Sequence, residues 1–142
     1  MRAVVLCLLE HQDRILLQEF WHEHKNHHFY RPPGGGIEQG EMAAVAMRRE
    51  LQEELDAQVS EPEFIRVLEN IFEYGGEIKH EIVFLFRANV LDERVTSAPE
   101  VKLTDNTYTF RAVWIPVRTL IREEVVLYPV GLRTLLPGIY PQ

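Results

Sequence analysis

A single cysteine, Cys7, is all the thiol this chain has. An internal disulfide is therefore excluded, and with it the stapled framework of a small secreted scaffold. Cys7 lies in the apolar run "AVVLCLL", where it reads as a small buried hydrophobe rather than a reactive thiol. There is no lysine- or arginine-rich run, and the formal net charge is −7. That excludes a protein gripping a nucleic-acid polymer by neutralising its phosphates. The opening apolar run ends at Leu9, well short of the ~20 residues a membrane-crossing helix needs, and no small-residue cleavage pattern follows it. Repeats and low-complexity tracts are missing, as is the oxygen-rich loop of an EF-hand calcium protein. These absences point to a reducing, cytoplasmic setting and to no membrane partner.

What the chain does have is the composition of a globular protein. It has 142 residues, 46% of them apolar and 26% charged, enough for one domain spanning 1–142 with a real core. Residues 1–9 and 14–20 read as strands joined by "HQD" into a hairpin. The polar stretch 21–28, "WHEHKNHH", reads as a loop, and 29–31 as a short extended piece held so by Pro32 and Pro33. Residues 40–55 read as a helix, because Ala44, Met47, Leu51 and Leu55 recur at spacings of three and four. Strands at 63–72 and 78–90 flank Gly75-Gly76, a strong hairpin signal. A polar loop over 91–106, a strand over 107–115 and short helices over 117–124 and 130–136 complete the reading. Strands on both sides of a long amphipathic helix predict an α/β layered fold, a mixed sheet with helix packed on it.

The chemistry concentrates in "RPPGGGIEQGE" and the "MRRELQEEL" that follows. At about 100° per residue, Glu50, Glu53 and Glu54 fall within one arc beside the apolar stripe. Three carboxylates so placed repel, and Arg48 and Arg49 can pair with some of them but not hold the whole set. Clustered hard oxygens suit Mg²⁺ or Mn²⁺. Such an ion would also resolve the paradox of an acidic protein binding an anionic ligand. Gly34, Gly35 and Gly36 let backbone come close to metal or phosphate, and the expected loop leads to a helix N-terminus, where N–H groups favour an anion. A charged helix face alone is usually only solvated, and a glycine run alone is usually a turn. Together they describe one site built from two sides, with Gly34, Gly35, Gly36 and Arg31 as the substrate-binding candidates.

These residues resemble the 23-residue signature of the Nudix hydrolases: Gly, five residues, Glu, seven residues, then Arg-Glu-aliphatic-any-Glu-Glu-any-Gly-aliphatic. Residues 35–57 supply Gly35, Glu41, Arg49, Glu50, Leu51, Glu53 and Glu54 in register. Asp56 stands where the family has glycine, and Ala57 where it has a larger aliphatic residue. Asp56 is expected to take the left-handed conformation at a cost of about 1 kcal/mol. The resemblance implies an α/β/α sandwich and hydrolysis of a nucleoside diphosphate derivative, be it an NTP, a sugar nucleotide, ADP-ribose or a dinucleotide. It implies Glu50, Glu53 and Glu54 as metal ligands, with a backbone carbonyl near Gly35 as a further one. Glu41 and Arg49 become a supporting ion pair fixing loop to helix. Water held at the cation would attack phosphorus, with Glu53 or Glu54 assisting its deprotonation. An extra base or ligand outside the box is expected, with Glu81, Glu100 and Asp105 as candidates. Dimers are common in the family, and edge strands leave a homodimer open. The alternative is a Nudix-like domain that senses a nucleotide without cleaving it, a role that does not require the three glutamates.

His22, His24, His27 and His28 invite a transition-metal reading, but without cysteine and in a polar stretch they read as a solvated loop. His27 or His28 could stand at a substrate entrance. Phe20, Trp21, Phe29 and Tyr30 could stack on a nucleobase, and so could Phe72 and Tyr74, although each reads first as packing. The box does not name the substrate.

Overall fold

The N-terminal apolar run becomes the strand around which everything else packs. In the computed structural model, which describes residues 1–141, β1 (Arg2–His11) is covered on both faces. Val4, Leu6 and Leu8 face one way and Val5, Cys7 and Leu9 the other, none more than 1% exposed. A strand buried on both faces shows no polar alternation, which is why its sequence is continuously apolar.

β1 turns into β2 (Arg14–His22) through Gln12 and Asp13, at φ 49° and 59°, the backbone a two-residue hairpin turn requires. β5 (Glu63–Tyr74) and β6 (Glu77–Asn89) form a second hairpin about Gly75-Gly76, as the sequence predicts. β6 then runs parallel to β1, with Arg2 opposite Glu81. β7 (Glu100–Asp105) and β8 (Tyr108–Pro116) make the third hairpin. The order across the mixed sheet is β5-β6-β1-β2-β8-β7. Off that path, β3 (His27–Arg31) pairs with β2 and β4 (Gly34–Gly36) with the first half of β1.

Helices close both faces. α1 (Ala43–Glu54) packs Ala46, Met47 and Leu51 onto Val5, Cys7 and Leu9. After the short α2 (Glu93–Thr96), α3 (Val117–Ile121) and α4 (Leu132–Ile139) bring Leu120, Leu132 and Leu136 to the opposite face. The result is the expected α/β/α layering, in which each such buried side chain contributes about 1.5–3 kcal/mol. No helix among the described residues is long and apolar enough to cross a membrane.

Several local expectations are corrected. Strands continue through the polar 21–28 stretch, to His22 and again from His27, because this hairpin needs no apolar face to pair its backbone. The 91–106 region holds α2, capped by the Asp92 carboxylate, and β7, an edge strand with only Leu103 buried. The glycines form strand β4 rather than a loop, and six residues separate them from α1, which starts at Ala43 rather than Gly40. Ala44 faces solvent; the buried face of α1 is Ala46, Met47, Glu50, Leu51 and Glu54.

Asp56 follows the helix at φ 48°, its N–H 3.3 Å from the Leu51 carbonyl. This is the left-handed residue that usually is glycine. Asp56→Gly should therefore raise Tm by about 3 °C, partly offset by losing the 2.6 Å bond from Gln52 Nε2 to Asp56 Oδ1. A melting scan showing a lower Tm would overturn this account.

Candidate active site

The buried face of α1 is apolar for its first turns and acidic at its end. Glu50 and Glu54 continue the stripe of Met47 and Leu51, at 8% and 4% exposure, so they are buried rather than at the border the helical wheel suggests. The Glu53 side chain, 58% exposed, stays on the open side. Backbone from β4 faces the two buried carboxylates. A Cβ on Gly35 would lie 2.4 Å from Glu50 Oε1, and one on Gly34 1.9 Å from the Val5 carbonyl oxygen. The glycines thus meet the C-terminal half of α1, not its N-terminus, and the expected helix-end anion site does not form there.

Arg49 ties the two pieces together. Its Nε and Nη2 donate to Glu41 at 2.8 and 2.9 Å, a fork on one carboxylate. Nη2 also donates to the Gly36 carbonyl at 3.2 Å, and Nη1 to Glu50 at 3.0 Å and Glu53 at 3.4 Å. The hydrogen bonds from Arg49, joined by the Glu38 backbone N–H, lower the Glu41 pKa to about 2. The Glu41–Arg49 pair thus braces the segment before α1 against the helix.

Glu54 is the anomaly. The Gly34 N–H hydrogen-bonds its carboxylate, but Oε2 is buried without a partner. Burial, then the nearby charges of Glu50 and Asp105, push its pKa up to about 9. Burial also raises Glu50, against the pull of Arg49. An orphaned buried carboxylate oxygen is expensive. All-oxygen surroundings and a cradle that a Cβ would fill fit a hard dication. The three glutamates are not gathered into a ready ligand set, because Arg49 occupies Glu50 and Glu53. Among the described residues no trio of His, Cys, Asp or Glu stands ready for an ion.

The candidates outside the box separate. Asp105, at the end of β7, adds its charge to Glu50 and Glu54. Glu100 is committed to Arg111 at 2.6 Å. Glu81 is 6% exposed and held by Arg31 and Asn70, each at 3.3 Å. It stands opposite Arg2, each two residues from the paired Val83 and Val4 and so on their face of the sheet, away from α1. Arg2 and Asn70 went unremarked in the sequence. Counting outward from the Gly75-Gly76 turn would have paired Asn70 with Glu81. His22 lies 5.9 Å, ring to ring, from both His24 and His27, with no metal trio formed. Phe20 stacks on Phe29 at 5.2 Å and meets Phe110 at 5.3 Å, so these rings pack on one another.

Two outcomes follow from the geometry. Gly34→Ala forces backbone against backbone and should abolish soluble folding, whereas Gly35→Ala displaces only the Glu50 side chain and should fold. Equal damage from both, read by circular dichroism and melting, would contradict this. With the Glu41 pKa lowered in the fold, its contribution to stability is complete above the ordinary value of 4.5 and lost as pH falls towards 2. The Tm gap between wild type and Glu41→Gln should accordingly narrow over that interval; a constant gap would count against it.

Residues 1–131 match the family described as NUDIX domain. No curated protein matches the sequence. Among solved structures, the mutator MutT protein of Bacillus halodurans superposes with a TM-score of 0.68 at 19% identity, covering 100% of this chain and 84% of that one. A Nudix hydrolase from Nitrosomonas europaea gives 0.67 at 20% identity, over 98% and 87%. The ORF135 protein of E. coli gives 0.57 at 23%, over 98% and 88%. These likenesses establish the fold. With the domain match covering most of its length, the chain belongs to the Nudix hydrolase family and is a Nudix-type pyrophosphohydrolase.

Proposed function

We propose that this protein hydrolyses the pyrophosphate linkage of a nucleoside diphosphate derivative, an NTP, sugar nucleotide, ADP-ribose or dinucleotide, with Mg²⁺ or Mn²⁺. The family generally uses divalent metals and acts on small nucleotide derivatives. The observation that carries the reading here is the unpartnered, buried Glu54 Oε2 beside Glu50, facing bare glycine backbone. Glu50, Glu53, Glu54 and the Gly35 carbonyl are the groups that would hold the ion. When bound, it neutralises the carboxylates, draws in phosphate and lowers the pKa of water.

The chain's own residues have distinct tasks. Arg49 keeps its fork on Glu41 and its contact with Gly36 when Glu50 and Glu53 turn from it, so the glycine strand stays in place. Gly34, Gly35 and Gly36 let the peptide backbone pass directly between β1 and the Glu50 carboxylate, which holds the carboxylates against main-chain groups. Glu53 or Glu54 receives the proton of the attacking water. The water oxygen bonds to phosphorus as the bridging P–O bond breaks, and the leaving phosphate departs with that electron pair.

Two measurements test this. A nucleotide panel assayed with Mg²⁺ or Mn²⁺ should give phosphate or pyrophosphate release that falls about 100-fold or more in Glu53→Gln and Glu54→Gln; near-normal turnover in both variants would defeat the assignment. Metal alone should raise the Tm of the wild type by several degrees, since it binds only the folded site. Glu54→Gln should melt higher than wild type in EDTA and gain nothing from metal; an undiminished metal response would exclude Glu54 as a ligand.

A further inference from the structure

Behind the glycine strand, on the face away from α1, lies a second charge cluster that the hydrolytic reading does not use. Glu81 Oε1 accepts from Arg31 Nη2 and from Asn70 Nδ2, both at 3.3 Å, and Oε2 lies 3.9 Å from Arg2 Nη1. Two guanidinium groups thus share one buried carboxylate and leave a surplus positive charge, in a chain whose net charge is −7. The Arg2 side chain is 65% exposed and Arg31 27%, so both offer N–H groups to solvent while their bases are fixed.

The cluster adjoins the carboxylate site through one residue. Arg2 Nη2 lies 2.9 Å from where a Cβ on Gly36 would be, while Arg49 binds the Gly36 carbonyl. Gly36 is therefore sandwiched between the guanidinium of the catalytic face and that of the opposite face. A structural tie between β1, β3 and β6 needs one cation per carboxylate; the second, mostly exposed one is left for a ligand. Guanidinium forks match phosphate oxygens.

We propose that Arg2 and Arg31, set in place by Glu81 and Asn70, form an oxyanion subsite that holds a phosphoryl group of the substrate beyond the linkage being cleaved. Glu81 is then a positioning residue and not the general base. This rests on the proposed hydrolysis for its place in turnover, but not for binding.

The probe is inorganic tripolyphosphate, titrated calorimetrically into the full-length protein in EDTA, so that no metal contributes. Arg31→Gln and Arg2→Gln should each weaken binding about tenfold or more, with Arg31→Lys recovering part of the loss. In the nucleotide assay the same variants should raise KM about tenfold and change kcat less than threefold. Glu81→Gln should raise KM likewise. Unchanged tripolyphosphate affinity in both arginine variants, with only Tm lowered, would overturn the subsite and leave a structural tie. A 100-fold kcat loss in Glu81→Gln at unaltered KM would make Glu81 the base and overturn its positioning role. If no nucleotide is cleaved by the wild type, the hydrolytic reading fails alone; arginine-dependent tripolyphosphate binding would still support the subsite.

Discussion

The backbone of Gly34 passes β1 through a gap that admits nothing wider, and that of Gly35 and Gly36 runs on between two charged side chains. Side chains on these residues would collide in turn with the Val5 carbonyl, the Glu50 carboxylate and the Arg2 guanidinium. Both walls of the gap are immobile for reasons of packing. β1 is fixed by burial on its two faces and α1 by Met47 and Leu51, so neither can retreat without opening the core. Polar groups from the helix and from the sheet therefore approach one another through bare peptide. Every feature of the site follows from that closeness.

The second theme is stability given up locally. Burying Glu50 and Glu54 at the end of an otherwise apolar stripe works against the fold, and one oxygen of Glu54 is left without any partner. Arg49 offsets part of this by touching Glu41, Glu50, Glu53 and Gly36 at once. A lysine could not do so, since a single ammonium lacks the planar fork. Local rules broken in one place, amid a fold that obeys them elsewhere, mark a functional centre.

Much of this was legible beforehand. The continuous apolar run, the Gly75-Gly76 turn and the period of Met47, Leu51 and Leu55 locate β1, the β5/β6 hairpin and α1. The carboxylate helix, the glycine stretch and the Glu41–Arg49 brace came from spacing and resemblance. What spacing does not carry is which way the glycines turn. Their pairing with β1 is a long-range hydrogen-bond choice, invisible in residues that have no side chain to show a face. The depth of Glu50 and Glu54 was equally hidden, because a glutamate in a stripe looks like its edge until the sheet beneath is known. The Arg2–Glu81 neighbourhood depends on a parallel crossover pairing, which no local pattern records.

Cys7 closes the account from the opposite direction. It sits in the middle of β1 with no exposure, and burial raises its pKa far above that of a free thiol. Only the thiolate reacts readily with an alkylating agent. Labelling therefore has to wait until the central strand separates from its neighbours. The protein thus carries its own unfolding clock, in which the rate of alkylation reports how often the innermost strand lets go.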